Sequence, residues 1–524
     1  MLRIQNVKVP LGKDNYKKII SQTLNIREKQ IKDVQLVKQS IDARRDHVHL
    51  ICSFDFMVDD EETLLTQNPR LTQVKEQTYQ YLPKNDREVL IVGSGPAGLF
   101  CAYVLSKVGQ KVTVIERGQP IEQRIKDVDD LLDHGILHPE SNIAFGEGGA
   151  GTFSDGKLTT GVKDHRLKYI LETFVQFGAP ADILYLGKPH IGTDYLRKVI
   201  VHMRKDMEKR GVQFLFGTQF IDFTIQNGKY HVDIKRNQEH VQMVVDDLVL
   251  AIGHSARDTY ETLYQKGIHM EAKPFAIGVR IEQLQSKINE IQYKKSANSL
   301  HLKAAPYKLA VQTKEGRGVY TFCNCPGGVV VPSMHEEKSL CVNGMSYYAR
   351  DGINANSAIL VNVKVEDFLS SHPLAGIEFQ RQLEKKAFEL GGQNYFAPVQ
   401  KWEDYLSNQC TQSLSNIQPT YQPGYTFANL NELFPEFINV ALKEGLQLMN
   451  KKMPGFIDEH TLLTGVEARS SAPVKIVRNE NYQSLPGLYP IGEGAGYAGG
   501  IMSAALDGIK CAEMILRGGN YGSY

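Results

Sequence analysis

The chain has 524 residues, 42% of them hydrophobic and 23% charged, with a formal net charge of +1. This length asks for two or three domains with buried cores, and the near-neutral balance excludes a whole-chain electrostatic case for a nucleic-acid or membrane partner. Seven cysteines, an odd number, speak against a disulfide framework and for a reducing compartment.

The start, MLRIQNVKVPLGKDNYKK, carries no apolar leader. The longest apolar stretch, VLIVGSGPAGLFCAYVL at 89–105, is interrupted by three glycines and a proline, which suit a turn rather than a membrane span. A soluble cytoplasmic protein is expected. Residues 1–84 open with a strand-like run, a helix-like DNYKKIISQTL and two further strand-like runs, predicting a small βαββ module of ferredoxin-like type. Through residue 50 it holds eleven Lys/Arg against five Asp/Glu, either a solvated basic face or a surface for nucleic acid. The polar stretch 59–86 reads as a linker or buttress.

Residues 85–274 predict a Rossmann-like, parallel α/β domain. EVLIVGSGPAGLFCAYVLSKVGQKVTVIERG is a buried strand, a glycine turn, a helix and a second buried strand. Gly93-Ser94-Gly95-Pro96-Ala97-Gly98 completes a GxGxxG. Its first Gly permits the tight turn, its second lets backbone approach a pyrophosphate, and its third packs helix on strand. The helix N-terminus then faces the phosphates with free N–H groups. Glu116 closes the second strand, 18 residues beyond Gly98, where a carboxylate can accept from ribose hydroxyls. Arg117 follows it, and Arg124 on the next helix is within reach of a phosphate or of solvent. Residues 219–246 predict an antiparallel excursion with Asn227-Gly228 as its turn, and DDLVLAIGHSA returns a buried strand ending at Ala251 and Gly253.

Residues 275–460 are less patterned and richer in loop signals and aromatics, predicting an inserted α+β substrate domain. Residues 461–524 return to nucleotide-domain texture in GLYPIGEGAGYAGGIMSAALDGIKCAEMI: strand, glycine turn, helix.

The GSGPAG turn, the ERG after the second strand, LVLAIG and GLYPIGEGAG together resemble the glutathione-reductase-like flavoproteins. ESNIAFGEGGAGTFSDGKL, TFCNCPGG, NGMSYYARDGINANSAIL, HPLAGIEFQ and GVEARSSAPVKI narrow the resemblance, over nearly the whole chain, to bacterial FAD-dependent dehydrogenases with a C-terminal FAD-protein domain. The resemblance implies FAD. It places Gly492 and Glu493 at the ribityl or pyrophosphate region, with Asp in many relatives where Glu493 stands, and gives Gly499, Gly500 and Ile501 as N–H donors to the pyrimidine edge. The loop Gly149-Ala150-Gly151-Thr152-Phe153-Ser154-Asp155-Gly156-Lys157-Leu158 combines small residues, which admit a flat ring, with side chains able to bond a ribityl chain or flavin edge.

No second strand–GxGxxG–helix unit and no CxxC is found, so NADH or NADPH enters only as a transient reductant stacking on flavin; the other electron sources are the substrate or a redox partner. Glu467 and Arg469, i and i+2 in a strand, are expected to share a face and, with Ser470 and Ser471, to bind a polar substrate or to be ion-paired within the protein. Arg350, Asp351, Asn354 and Asn356 form a second polar cluster, expected to be structural. Cys323 and Cys325 raise three readings: a strained redox pair, since i and i+2 in a strand lie about 6.6–6.8 Å apart; part of a zinc site with His335 and Cys341; or two reduced thiols on one strand face looking toward the flavin. The last is expected, with no metal. Three function classes follow: an FAD oxidoreductase acting on a small or lipid-like molecule, an RNA-modifying flavoprotein docking RNA through residues 1–84, and a non-catalytic flavin-binding protein.

Overall fold

The computed structural model describes residues 1–75 and 78–518; the last six residues of the expected final segment 461–524 lie outside the described residues. Three bodies of secondary structure are present, each around its own core.

The N-terminal module is a four-stranded antiparallel sheet in the order Ile31–Asp42, His49–Val58, Leu2–Pro10, Leu71–Gln73. Helix Tyr16–Leu24 joins two strands that have a third between them, a split βαβ unit. Leu2, Ile4, Phe54 and Phe56 are fully buried in its core. The stretch expected to link or to buttress adds a helix, Glu61–Gln67, and the fourth strand, making the module βαββαβ. Asp60 caps that helix by accepting from the Thr63 N–H at 3.0 Å, and Leu64 and Leu65 pack on the core, a D-x-x-T signal present in the sequence. The module docks through main chain: Gln39 donates to the Tyr185 carbonyl at 2.6 Å and accepts from the Gly187 N–H at 2.7 Å.

The second body is a five-stranded parallel sheet, ordered Leu488–Pro490, Asp247–Leu250, Glu88–Val92, Lys111–Ile115, Gln213–Leu215. Its central strands are covered on both faces, which is why EVLIV and DLVL are continuous rather than alternating apolar runs. Helices Pro96–Lys107 and Ile501–Leu516 lie together on one face. They approach so closely that a Cβ on Gly508 would sit 2.1 Å from the Ala97 carbonyl oxygen. The antiparallel excursion is a three-stranded meander, Thr218–Gln226, Lys229–Arg236 and Glu239–Val245, whose first turn has Asn227 and Gly228 both at positive φ.

The third body is a seven-stranded sheet in the order Ala310–Gln312, Gly318–Cys325, Asn354–Val363, Phe275–Leu284, Leu462–Glu467, Ala397–Lys401, Tyr425–Phe427. Helices Ala375–Leu390 and Glu436–Lys452 contribute to its core, and Gly445 lets the second lie directly on Val319. The boundary expected at 460/461 needs correction on this point. Leu462–Glu467 pairs with both Phe275–Leu284 and Ala397–Lys401, so the chain leaves this sheet only after Glu467. The two passages between the sheets run side by side as the antiparallel pair Met270–Ala272 and Val474–Ile476. Among the described residues no helix is long and apolar enough to cross a membrane.

Candidate functional site

A cavity of about 590 Å³ lies between the carboxyl ends of the parallel strands and the seven-stranded sheet, within the range of cofactor and ligand sites. At one end is the glycine turn. Gly93 has φ +101° and its Cβ would stand 2.3 Å from the Ala251 carbonyl oxygen; a Cβ on Gly98 would stand 2.0 Å from the Gly93 carbonyl. These two glycines therefore allow strand, turn and helix to close on each other. Gly95 differs: its Cβ would meet only Gly149 Cα, at 3.8 Å, so it keeps a space open. It also caps helix Pro96–Lys107 without any side-chain acceptor, leaving the first-turn N–H groups unspent.

Glu116 lines the cavity with both carboxylate oxygens engaged. Oε2 accepts from the Ser94 N–H (3.0 Å) and hydroxyl (2.8 Å), and Oε1 from the Gly118 (3.0 Å) and Gly146 (3.1 Å) N–H groups. A carboxylate has about four acceptor positions. In this structure Glu116 thus ties the turn to the 146–149 loop, and Ser94 serves Glu116 from behind the wall.

Arg124 is a correction. Its side chain is fully buried and its N–H groups donate to four carbonyls, of Asn142 (2.8 Å), Glu147 (2.6 Å), Gly149 (3.0 Å) and Ile143 (2.9 Å), with Phe153 stacked beneath. It clamps the loop that walls the cavity and faces no phosphate position. Arg124→Met is expected to cost roughly 2 kcal/mol of stability through orphaned carbonyls, read as a lowered urea midpoint. Arg117 lies along the wall over Phe145, paired with Glu140 and Asp258.

The loop after Gly149 divides in two. Ala150, Gly151, Ser154, Asp155, Gly156 and Lys157 line the cavity; Thr152 and Leu158, like Gly98, are turned into the protein. Asp155 is wholly committed: it takes Arg350 through Nε (3.0 Å) and Nη2 (2.5 Å), the Ser346 hydroxyl and Lys157 Nζ (3.1 Å), and these cations hold its carboxyl low against the effect of burial. Arg350 is thereby tied to Asp155, and it too lines the cavity. Asn354 binds Glu282 and the Gln418 carbonyl, and Asn356 accepts from Arg280, while Asp351 is exposed.

At the far end, Gly500 caps helix Ile501–Leu516 with no side-chain acceptor. Gly499 lines the cavity and donates its N–H to Ser503 Oγ at 3.2 Å in a solvent-exposed hydrogen bond; Gly500 and Ile501 keep the free donors of the helix start. Gly492 packs on Ala97, its N–H held by Asp507 at 2.7 Å. Glu493 beside it faces the cavity with no hydrogen bond to its carboxyl. Burial pushes that carboxyl up to about 7, opposed by Lys273. A carboxyl raised by folding contributes stability that is present below its unfolded value and lost as pH rises through about 7. Flavin-free Glu493→Gln protein should therefore gain Tm on flavin-free wild type between pH 5 and pH 8; an unchanging difference would contradict this.

Glu467 and Arg469 do not act together. The strand ends at Glu467, so the i, i+2 alternation stops there. Glu467 pairs with Arg280 (2.5 Å), and burial lifts its carboxyl to about 7 in spite of that partner. Arg469 instead grips Glu384 bidentately (2.8 and 2.7 Å) and reaches His335 Nδ1 (2.5 Å) and Ser255 Oγ (3.3 Å). Both are ion-paired within the protein, and both also line the cavity. Ser470 is bound to the main chain of Ala276. Arg280 carries a signal of its own: it is the single cation in the largely apolar FAIGVRIEQL, and a buried cation must find a partner. His254, Lys188, Tyr307, Lys308 and Phe322 also line the cavity and were not singled out.

The strand at Cys323 is not regular. Phe322 pairs with Ala358 and Cys325 with Asn356, leaving an extra residue, and Cys323 has φ +42°. This bulge replaces the expected straight strand face. Cys323 lines the cavity, Cys325 is fully buried, and both sulfurs lie 3.8 Å from Lys157 Nζ. His335 is bound to Arg469, and Cys341 sits in the core of the seven-stranded body. Among the described residues no group of three His, Cys, Asp or Glu side chains is placed to hold a metal.

Two uncapped helix starts, the space kept by Gly95 and the unpartnered Glu493 carboxyl fit an extended dinucleotide. Residues 91–136 match the NAD(P)-binding Rossmann-like domain family, residues 274–470 the family "FAD-dependent protein, C-terminal domain-like", and residues 1–57 a domain of unknown function. An uncharacterized protein of Clostridium beijerinckii is 43% identical over 531 residues, spanning 98% of each chain. Among solved structures, the flavin-dependent halogenase CmlS aligns with 83% of this chain at 13% identity and a TM-score of 0.37, and this chain spans 58% of that protein's length. A geranylgeranyl bacteriochlorophyll reductase-like protein of Thermoplasma acidophilum aligns with 82% of this chain and 78% of its own at 13% identity and a TM-score of 0.35. By its full-length relative and its C-terminal domain, the chain belongs to the family of FAD-dependent proteins, and its cofactor is FAD.

Proposed function

We propose that the protein is an FAD-dependent oxidoreductase acting on a small or lipid-like molecule held between the cofactor and the seven-stranded sheet. One observation carries this reading: the cradle built by Gly95, Glu493 and Gly500-Ile501 and the wall built by Tyr307, Thr321, Phe322 and Cys323 bound a single cavity. A cofactor lying along the cradle would meet whatever rests on that wall.

When bound, FAD supplies hydride transfer. The chain's own residues supply the setting. The N–H groups at the start of helix Ile501–Leu516 favour negative charge at one end of the cavity. Glu467 lines the substrate wall and is braced from behind by Arg280, and Lys157, held by Asp155, places a fixed cation in it. A nicotinamide donor, having no fold of its own here, enters the same cavity transiently.

Anaerobic mixing of the holoprotein with NADH and, separately, NADPH tests the reading. One of them should bleach the flavin at a saturable rate. No bleaching by either, together with no turnover in metabolite mixtures, would replace the proposal with a non-catalytic flavin-binding role.

A further inference from the structure

We propose that Cys323 and Cys325 are a redox-active pair, cycling between dithiol and disulfide by exchanging two electrons with the FAD bound in the adjoining cavity. The proposal rests on the FAD assignment of that cavity.

The geometry is built rather than incidental. In a straight strand the two Cα atoms would lie about 6.6–6.8 Å apart. Here the bulge brings both sulfurs to one ammonium, Lys157 Nζ, at 3.8 Å each. The left-handed backbone of Cys323 is unusual for a residue with a side chain, and its surroundings hold it in place. Arg280 Nη1 donates to the Cys323 carbonyl at 2.9 Å; the intervening Asn324 gives its amide to the Asn356 carbonyl (3.2 Å) and accepts from the Tyr307 N–H (3.2 Å).

The two sulfurs are unequal in the way a dithiol centre requires. Cys323 is half-buried and lines the cavity; Cys325 is fully buried behind it, its sulfur 3.3 Å from the Cys323 carbonyl oxygen. The Cys325 thiol, then Lys157 and Arg280, draw the Cys323 thiol well below its ordinary value against the effect of burial. Cys325, beside that negative sulfur and buried, is pushed up. The sulfur that faces the cavity is the one favoured as thiolate and the sulfur behind it the one favoured as thiol, the division of labour between an exchanging and a resolving cysteine. Asp155 and Glu467 keep Lys157 and Arg280 in place.

The step balances without a further reagent. In the reductive direction the Cys323–Cys325 bond breaks as it receives two electrons from anionic reduced flavin, whose one proton passes to Cys325. Cys323 is left as thiolate opposite Lys157, and the flavin is left oxidised. In the other direction the S–S bond forms and the electrons and proton return.

The test uses the full-length holoprotein. After treatment with oxidised glutathione and its removal, the protein is denatured and alkylated, and the peptide carrying residues 323 and 325 is weighed. It should be unalkylated and recover both labels only after reduction. Anaerobic dithionite titration of the oxidised holoprotein should then consume about four electrons per FAD, two for flavin and two for the disulfide. Cys323→Ser and Cys325→Ser proteins with intact flavin spectra should consume about two. Two electrons per FAD in oxidised wild type, or both cysteines alkylated after oxidation, would overturn the proposal. A preparation without flavin would show itself by its missing visible spectrum, whatever the alkylation result. A disulfide in such a protein would refute exchange with FAD while leaving the pair itself established.

Discussion

Glu384→Ala should destabilise the protein by about 3–5 kcal/mol, the range for removing one partner from a buried ion pair. Glu384 is fully buried on helix Ala375–Leu390 and is shared by two buried arginines. Arg257 reaches it at 2.8 and 3.0 Å and Arg469 at 2.8 and 2.7 Å. Arg257 sits at the start of the helix that follows the parallel strand Asp247–Leu250, and Arg469 follows the last-entered strand of the seven-stranded sheet, so one carboxylate joins the two main bodies beside the cavity. Removing it strips Arg469 of its carboxylate and leaves Arg257 with Glu336 alone, two cations close together in a desolvated space. Burial alone would raise this carboxyl, but Arg257 and Arg469 outweigh it and hold it at about 2. Its folded value lies below its unfolded one, so its contribution is present above about pH 4.5 and fades as pH falls toward 2. The deficit of Glu384→Ala, read from urea unfolding, should shrink on the acid side. A variant as stable as wild type at pH 7 would mean that the two arginines are solvated.

Gly95→Val should abolish retention of the cofactor while leaving the fold intact. Gly95 has an ordinary φ of −71° and an added Cβ meets nothing nearer than 3.8 Å, so the backbone tolerates a side chain. That side chain would occupy the space where phosphate approaches the start of helix Pro96–Lys107. Loss of two charge-assisted hydrogen bonds, at about 1.5–3 kcal/mol each, corresponds to a weakening of roughly 100-fold or more. Circular dichroism should be unchanged and the purified protein colourless. Gly98→Ala makes the contrast: its Cβ would collide with the Gly93 carbonyl at 2.0 Å, so stability and cofactor should fall together.

The parts of the molecule readable in advance are those fixed by local rules. A parallel strand buried on both faces must be continuously apolar, and the turn after it must be glycine where backbone meets backbone; Gly93 and Gly98 satisfy the roles their spacing assigned. The Asn227-Gly228 turn is legible for the same reason. Parts set by long-range partners were not. The place of Arg124 on its helix gave only its sequence distance from Glu116, whereas its role depends on four carbonyls from a loop 18 to 25 residues away. Glu467 and Arg469 keep the right spacing for a shared face, but the strand ends between them. The bulge at Cys323 depends on the register of Asn354–Val363, about thirty residues downstream, and no feature of CNC announces it. Arg280 carries a legible signal, a lone cation in a largely apolar strand, and it organises Cys323, Asn343, Asn356 and Glu467 around itself.

The assignment of the cavity to FAD is tested most directly by acid release of the ligand from the purified protein, followed by its mass and its quantity per chain. FAD at one per chain, lost in Gly95→Val and kept in Cys323→Ser, is the expected result. A colourless wild-type protein that takes up no FAD on reconstitution, or a released ligand of another mass, would contradict it.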